Sequence, residues 1–437
     1  MSGRTPCRAL RAAPRLGVGL LLAVSCTASA QVPADTARPM VLADVTLFDG
    51  TGGPARPHQS VLVRGERIAA IFPTGSRPPP AEATVYDLAG RYLIPGLIDT
   101  HVHLATDPAG EDTRTRTEQR LRLALLGGVT AVRDMAGDVR ALASLQRDAL
   151  LGEIPGPDIY YAALFAGPPF FVDPRTHDAS RGLIPGRVPW MRSVTDTTDI
   201  RQAVAEARGS GAAAIKLYAA LDGALARRIA AEAHAQGLMV WAHAALRPAG
   251  PTDVVEAGVD AVSHASLVAL AMDSARHAAA LRTPAHQPLD IEDAGLDALF
   301  SAMVRRHTAF EPTLLIFEDS PPLLRLAGAV SRRAHRRGVT IVAGTDTLGA
   351  AGSDSITLPN LHRELELLVA LAGLSPAEAL ESATRDAAVV LGAGSVRGTV
   401  EVGKLADLVV LRSDPLLDIG HTRSIHLVVK RGRVYRR

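Results

Sequence analysis

The chain has 437 residues, enough for one large α/β barrel with a satellite domain. Hydrophobic residues make up 47% and aromatic residues only 4%, so the core must be built mainly from Ala, Val, Leu and Ile. The 47 basic and 45 acidic residues nearly balance, and no basic block is present, which argues against nucleic acid as a partner.

Residues 1–30 read as an export signal peptide. Arg4, Arg8, Arg11 and Arg15 precede the apolar stretch Leu16 to Val24, and Ala28-Ser29-Ala30 supplies a small-residue cleavage site before Gln31. The apolar run is too short for a mature membrane helix. The mature chain is therefore expected to lack a transmembrane span and to be periplasmic or secreted. Acylation of Cys26 as a lipoprotein anchor is the competing reading, but Ala23 fits that pattern poorly and simple cleavage is preferred. Cys7 and Cys26 are the only cysteines and both leave with the signal. That excludes disulfides, thiol nucleophiles and thiolate metal ligands.

Beyond a Pro-containing linker (Gln31 to Pro39), Val41–Phe48, Ser60–Arg64 and Arg67–Phe72 alternate as short strands, with turn signals at Asp49-Gly50 and Arg64-Gly65. Asp407–Leu411 and Ile425–Lys430 behave the same way. These ends predict one small β-sandwich domain built from both termini, residues 31–93 and 393–437. Residues 94–392 alternate strand and helix. Strands are expected at Ile94–Leu104, Val129–Met135, Asp158–Phe165, Ala213–Tyr218, Met239–His243, Ala261–His264, Ala309–Ile316 and Thr340–Asp346, with helices such as Val139–Leu150 and Asp222–Gln236 between them. Eight such units predict a (β/α)8 TIM barrel. The Gly- and Pro-rich segment Ala166 to Met191 reads as a long insertion after the third strand, either a substrate lid or a surface excursion.

The chemistry lies at the strand ends. His101 and His103 close the first strand one residue apart, so their side chains share a face. Lys216, His243, His264 and Asp346 end strands four, five, six and eight, and barrel active sites are assembled at that rim. Imidazoles and a carboxylate suit zinc or a similar divalent ion. Lys216 stands out because only Lys216, Lys404 and Lys430 are lysines in an arginine-rich chain. Burial disfavours its charged form. A neutral amine can add carbon dioxide to give an anionic carbamate that bridges two cations, which arginine cannot do. The alternative is a lysine that snorkels or pairs with an acid.

Pro95-Gly-Leu-Ile-Asp-Thr-His-Val-His103, Ile215-Lys-Leu-Tyr218, Ala242-His243, Ser263-His264, Gly344-Thr-Asp346, Leu361-His-Arg-Glu-Leu-Glu366 and the tail Gly398–Val410 together resemble the amidohydrolase superfamily. The likeness runs to the branch of imidazolonepropionase-like proteins and Xaa-Pro or Xaa-Arg dipeptidases. It implies two divalent metal ions, one held by His101, His103 and Asp346 and the other by His243 and His264, with carbamylated Lys216 between them. The two ions would share a hydroxide that attacks a carbonyl carbon. It also implies Asp346 as the catalytic proton shuttle and Tyr218 as a substrate contact; packing is the alternative for Tyr218. Imidazolonepropionases typically place an acid soon after the strand-five histidine, whereas this chain has His243-Ala-Ala-Leu-Arg247. That departure favours the two-metal arrangement.

The expected activity is hydrolysis of a C–N bond in a small substrate, such as a dipeptide or an N-acyl amino acid. The alternatives are a cyclic amide, lactone or phosphoester at the same site, or a non-catalytic binding barrel. A basic residue aimed at a free carboxylate would favour peptides. His362 is read as a capping or packing residue near the site. Self-association into a homo-oligomer is left open.

Overall fold

The computed structural model describes residues 38–284, 289–348 and 358–436. The expected signal peptide, with Cys7 and Cys26, lies outside the described residues. No helix among the described residues is long and apolar enough to cross a membrane.

Seven parallel strands form the barrel wall in sequential order: Leu97–Val102, Val129–Asp134, Asp158–Ala166, Ala214–Leu217, Met239–His243, Ala261–Ser263 and Ala309–Glu311. An eighth segment closes the ring with few bonds. Ile341 bridges Phe310, Val342 N–H donates to Phe310 C=O at 2.9 Å, and Thr100 N–H donates to Ala343 C=O at 3.1 Å. The expected strand Thr340–Asp346 is thus reduced to a few contacts, and at Gly344 the backbone runs close against two site side chains. A Cβ there would lie 2.4 Å from Glu311 Oε1 and 2.8 Å from His101 Cβ. The expected strand Ala309–Ile316 also stops early: Pro312 has no N–H to continue the ladder, and Leu314–Phe317 turns into a 3₁₀ helix.

Three of the helices between the strands start where an aspartate caps them. Asp138 accepts from Arg140 N–H, Asp199 from Gln202 N–H and Asp222 from Leu225 N–H, each satisfying one of the free donors of a first turn. On the helix Val139–Leu151, the buried residues Val139, Leu142, Leu145 and Ala149 recur at three- and four-residue steps, so one stripe faces the barrel.

Alternation along the barrel strands builds its interior in layers. The lower layer takes Ile98, Ala131, Ala162, Ala214, Trp241, Ala261, Ala309 and Val342, one from each segment. Five alanines leave room for a single indole, and Trp241 fills it while its Nε1 donates to Val390 C=O at 2.9 Å. Two residues further along the strands, the next layer is polar: Thr100, Arg133, Lys216, Ser263 and Glu311, all buried. The site stands on that layer.

The chain ends form one seven-stranded sheet, in the order Arg433–Tyr435, Ile425–Lys430, Leu408–Leu411, Thr84–Pro95, Met40–Leu47, Arg56–Arg64 and Arg67–Pro73. Its pairs are antiparallel except Met40–Leu47 with Thr84–Pro95. Period-two alternation serves two cores at once. Leu408, Val410, Leu427 and Val429 pack within the sheet's own core, while Val409, Leu411 and Val428 pack with the barrel helices. The expected strand Ile94–Leu104 is divided between the two parts: Thr84–Pro95 ends in this sheet, and the barrel strand begins after Gly96.

The segment after the third strand is an ordered wall. It holds a 3₁₀ turn (Pro168–Val172), a short helix (Pro174–Asp178) and a small hairpin, Arg187–Val188 with Met191–Ser193. Met191–Ser193 also pairs with Leu164–Ala166 of the third barrel strand.

Candidate active site

All six rim residues meet at one cavity of about 440 Å³, lined by His101, His103, Lys216, His243, His264 and Asp346. Asp346 Oδ1 lies 3.1 Å from His101 Nε2 and 3.2 Å from His103 Nε2. These three residues can offer ligand atoms within 4.8 Å of one another. Asp346 Oδ2 lies 3.9 Å from His264 Nδ1. The rings of His264 and His243 are 4.8 Å apart, and Tyr218 lies 4.1 Å from His243. His264 and Asp346 have φ of 77° and 57°, a left-handed backbone that costs non-glycine residues energy and persists only where the surroundings enforce it.

Hydrogen bonds behind the rings choose which nitrogen faces the cavity. His101 Nδ1 donates to Glu311 Oε2 at 2.7 Å, and His243 Nδ1 to Tyr218 C=O at 3.1 Å. The Thr313 hydroxyl donates to Pro312 C=O and accepts from His264 Nδ1 at 3.0 Å. Each ring therefore keeps Nε2 for the cavity, the arrangement by which outer hydrogen bonds orient metal-binding imidazoles.

Glu311 is the hub that reading the sequence missed. Besides His101 it accepts from Thr100, from Arg133 Nη2 at 2.8 Å and from Ser263 Oγ at 2.7 Å. Burial alone would push its carboxyl up, but Arg133 and His101 hold it well below the usual range. It closes the seventh strand and so obeys the same rim rule as the other residues, but the expected strand Ala309–Ile316 ran past it. Asp99 was also missed. It accepts from the backbone N–H groups of His101 and Thr345, each at 3.1 Å, and so ties the first strand end to the segment carrying Asp346.

The electrostatics favour neutral imidazoles at His243 and His264 and a charged carboxylate at Asp346. At His101, by contrast, burial is outweighed by Asp346 and Glu311, which raise it. Burial pushes His264 down to about 3, with the charge of His101 acting in the same direction. Burial likewise holds His243 well below the usual histidine range, with Lys216 and His264 adding to the effect. Burial would raise Asp346, but His101 and His103 overcome it and keep the carboxyl ionised. Lys216 is fully buried, and burial pushes its ammonium down to about 7 against the pull of Glu311. Its Nζ has no hydrogen-bond partner among the described residues. An unpartnered buried amine facing four imidazoles and a carboxylate fits a divalent metal centre better than a structural ion pair.

Tyr218 also lines a second, apolar chamber of about 260 Å³, together with Met135, Leu164, Phe170, Ala179 and Met191. Arg175, on the insertion helix, lines both chambers. His362 is buried away from the cavity, bonding Thr422 Oγ1 and Gly127 C=O at 2.9 Å each, which makes it a packing residue.

Residues 92–435 match the family model described as the amidohydrolase family. The chain belongs to the amidohydrolase family. Imidazolonepropionase of Deinococcus radiodurans is 27% identical over 391 residues, covering 83% of this chain and 88% of that protein. An adenine deaminase of Rubrobacter xylanophilus is 40% identical over 81 residues, and the match spans only 13% of that enzyme's length and 18% of this chain. Among solved structures, a protein assigned as a prolidase in Bifidobacterium longum superposes with a TM-score of 0.67 at 28% identity, covering 92% of this chain and 95% of that one. An Xaa-Pro dipeptidase with bound methionine in its active site shares the fold, with a TM-score of 0.69 at 22% identity, covering 91% of this chain and all of that one.

Proposed function

We propose that this amidohydrolase is an exported, metal-dependent enzyme that hydrolyses the amide bond of a small substrate, a dipeptide or an N-acyl amino acid. The observation that carries the reading is Lys216: a buried, unpartnered amine lining the cavity that also holds His101, His103, His243, His264 and Asp346. His101, His103 and Asp346 would hold one divalent ion, zinc or a similar metal, and His243 and His264 a second. Lys216, as its carbamate, would lie between them. Such ions lower the pKa of bound water toward neutrality and polarise a carbonyl.

The protein's own groups supply the rest. Asp346 would take a proton from water and return it to the departing nitrogen. That transfer matters because an amide nitrogen leaves poorly as an anion. Tyr218, which lines both chambers, would orient the substrate. The imidazolonepropionase and prolidase likenesses support C–N bond hydrolysis. Export rests on the charge and apolar pattern of residues 1–30.

The test is a hydrolysis screen of dipeptides and N-acyl amino acids. Chelation should abolish turnover and zinc should restore it; indifference to chelators would reject the reading. Lys216→Ala should lower the bound metal from two ions per chain and remove the carbamate carbon signal seen by NMR after incubation with ¹³C-bicarbonate. An unchanged metal content would reject the bridging role.

A further inference from the structure

The two chambers meet at three side chains, His103, Tyr218 and Arg175. Arg175 is the odd one, because it belongs to the insertion and not to a barrel strand. Among the described residues lining the apolar chamber it is the only lysine, arginine or acid. Its guanidinium is oriented from behind: Nε donates to Asp173 Oδ1 at 3.1 Å and Nη2 to Asp173 Oδ2 at 2.7 Å. Nη1 is outside that pair, and besides Asp173, Tyr218 is close enough to raise the guanidinium electrostatically. The insertion that carries it is tied to the barrel through Met191–Ser193, and the Arg175 side chain stays 60% exposed, open to a ligand.

Beyond Arg175 the chamber is mostly apolar, with Thr106 and Thr176 the hydroxyls in its lining. Met135, Leu164, Phe170, Ala179 and Met191 would desolvate any polar group placed among them without offering it a partner. The two methionines, flexible and polarisable, can adapt to differently shaped apolar groups. A ligand that satisfies this arrangement has an anion next to an apolar arm. Carboxylates are the anions that guanidinium forks recognise in peptides and acyl amino acids.

Resting on the hydrolase reading above, we propose that Arg175 is the specificity-determining residue of a carboxylate subsite and that the apolar chamber receives the side chain borne on the same carbon. The preferred leaving group is then a large apolar amino acid with a free α-carboxylate. Hydrolysis breaks the acyl C–N bond and forms a C–O bond with water. The acyl part leaves as a carboxylate and the amino acid as the protonated amine.

The experiment uses the metal-loaded full-length enzyme, Arg175→Met and Ala179→Leu. The substrates are N-acetyl-L-leucine, N-acetyl-L-phenylalanine, N-acetylglycine and N-acetyl-L-leucinamide. The wild type should prefer the leucine and phenylalanine derivatives to glycine, and the free acid to the carboxamide. Arg175→Met should lower kcat/KM for N-acetyl-L-leucine by about 10- to 100-fold, as expected for losing a hydrogen bond to a charged group, mostly through KM. The preference for acid over carboxamide should collapse with it. Ala179→Leu, which fills the chamber, should shift preference toward N-acetylglycine. Calorimetric binding of free L-leucine, which requires no turnover, should weaken at least about tenfold in Arg175→Met. An unchanged acid-to-carboxamide ratio, or equal leucine binding by both proteins, overturns the role of Arg175 and leaves the hydrolase reading standing. Arg175-dependent leucine binding without hydrolysis of any substrate supports the subsite and overturns the hydrolase reading.

Discussion

At the scale of single residues, the site depends on one buried charge pair beneath it. Arg133 and Glu311 are both fully buried and 2.8 Å apart, and Glu311 also holds the ring of His101. Replacing Glu311 with Gln would leave the Arg133 charge uncompensated in the barrel interior. Removing one partner of such a pair typically costs about 3–5 kcal/mol. Glu311→Gln should therefore lower the urea midpoint by that equivalent and weaken metal retention as His101 loses its anchor. A variant as stable as the parent would show that the Arg133 charge is compensated elsewhere. Lys216 was legible because lysine is scarce in this chain and because strand ends are where barrels place chemistry. Glu311 was not, because Pro312-Thr313 read as further strand and hid the fact that the strand ends at Glu311. Arg175 was legible only as part of the insertion Ala166 to Met191, because no local period says which side chain of a loop turns toward the cavity.

At the scale of elements, the 3₁₀ turn Leu314–Phe317 follows the seventh strand and carries Ile316, which lines the larger cavity. Glu364, on the helix Leu361–Leu367, holds that turn from a distance. Its two oxygens accept from Leu314 N–H at 3.0 Å and Leu315 N–H at 2.8 Å. Burial outweighs those bonds and pushes its carboxyl up to about 8. The folded protein then binds a proton that the unfolded chain releases at an ordinary carboxylate pKa. The contribution of Glu364 is fully present below that ordinary value and is lost as pH rises through about 8. Glu364→Gln should flatten this decline in stability between pH 5 and 8. It should also cost about 1–3 kcal/mol at low pH, because an amide NH₂ replaces one of the two acceptors and leaves a backbone N–H unsatisfied. Denaturant titrations at several pH values measure both effects, and an unchanged slope would exclude Glu364 as its source. The strand count was readable from alternating segments. The break at Gly96 was not, since an uninterrupted apolar run looks the same whether it serves one sheet or two.

At the scale of the whole molecule, the terminal sheet and the barrel share their apolar residues strand by strand, and a charged cluster ties them at the barrel base. Asp158, at the start of the third barrel strand, meets Lys430 at 2.8 Å and Arg431 at 2.9 Å, and it also pairs with Arg397. Burial alone would raise its carboxyl, but these three cations hold it well below the usual range. Such sharing predicts one calorimetric unfolding transition for the residues from the first sheet strand to the last. Asp158→Asn should lower its midpoint, with a cost of up to about 3–5 kcal/mol for leaving buried Lys430 without its carboxylate, without splitting it in two. Two separate transitions would mean that the sheet and the barrel unfold independently.

The alanine cage around Trp241 has a practical consequence. The chain has only two tryptophans, and they occupy different worlds. Trp241 is enclosed in the barrel floor with the Arg133 guanidinium 4.5 Å from its ring. Trp190 belongs to the insertion and bonds the carbonyl of Ala179, a residue of the apolar chamber wall. Intrinsic fluorescence therefore offers two native optical probes, separable by Trp190→Phe: one whose emission follows the integrity of the scaffold, and one that responds when a guest enters beside it.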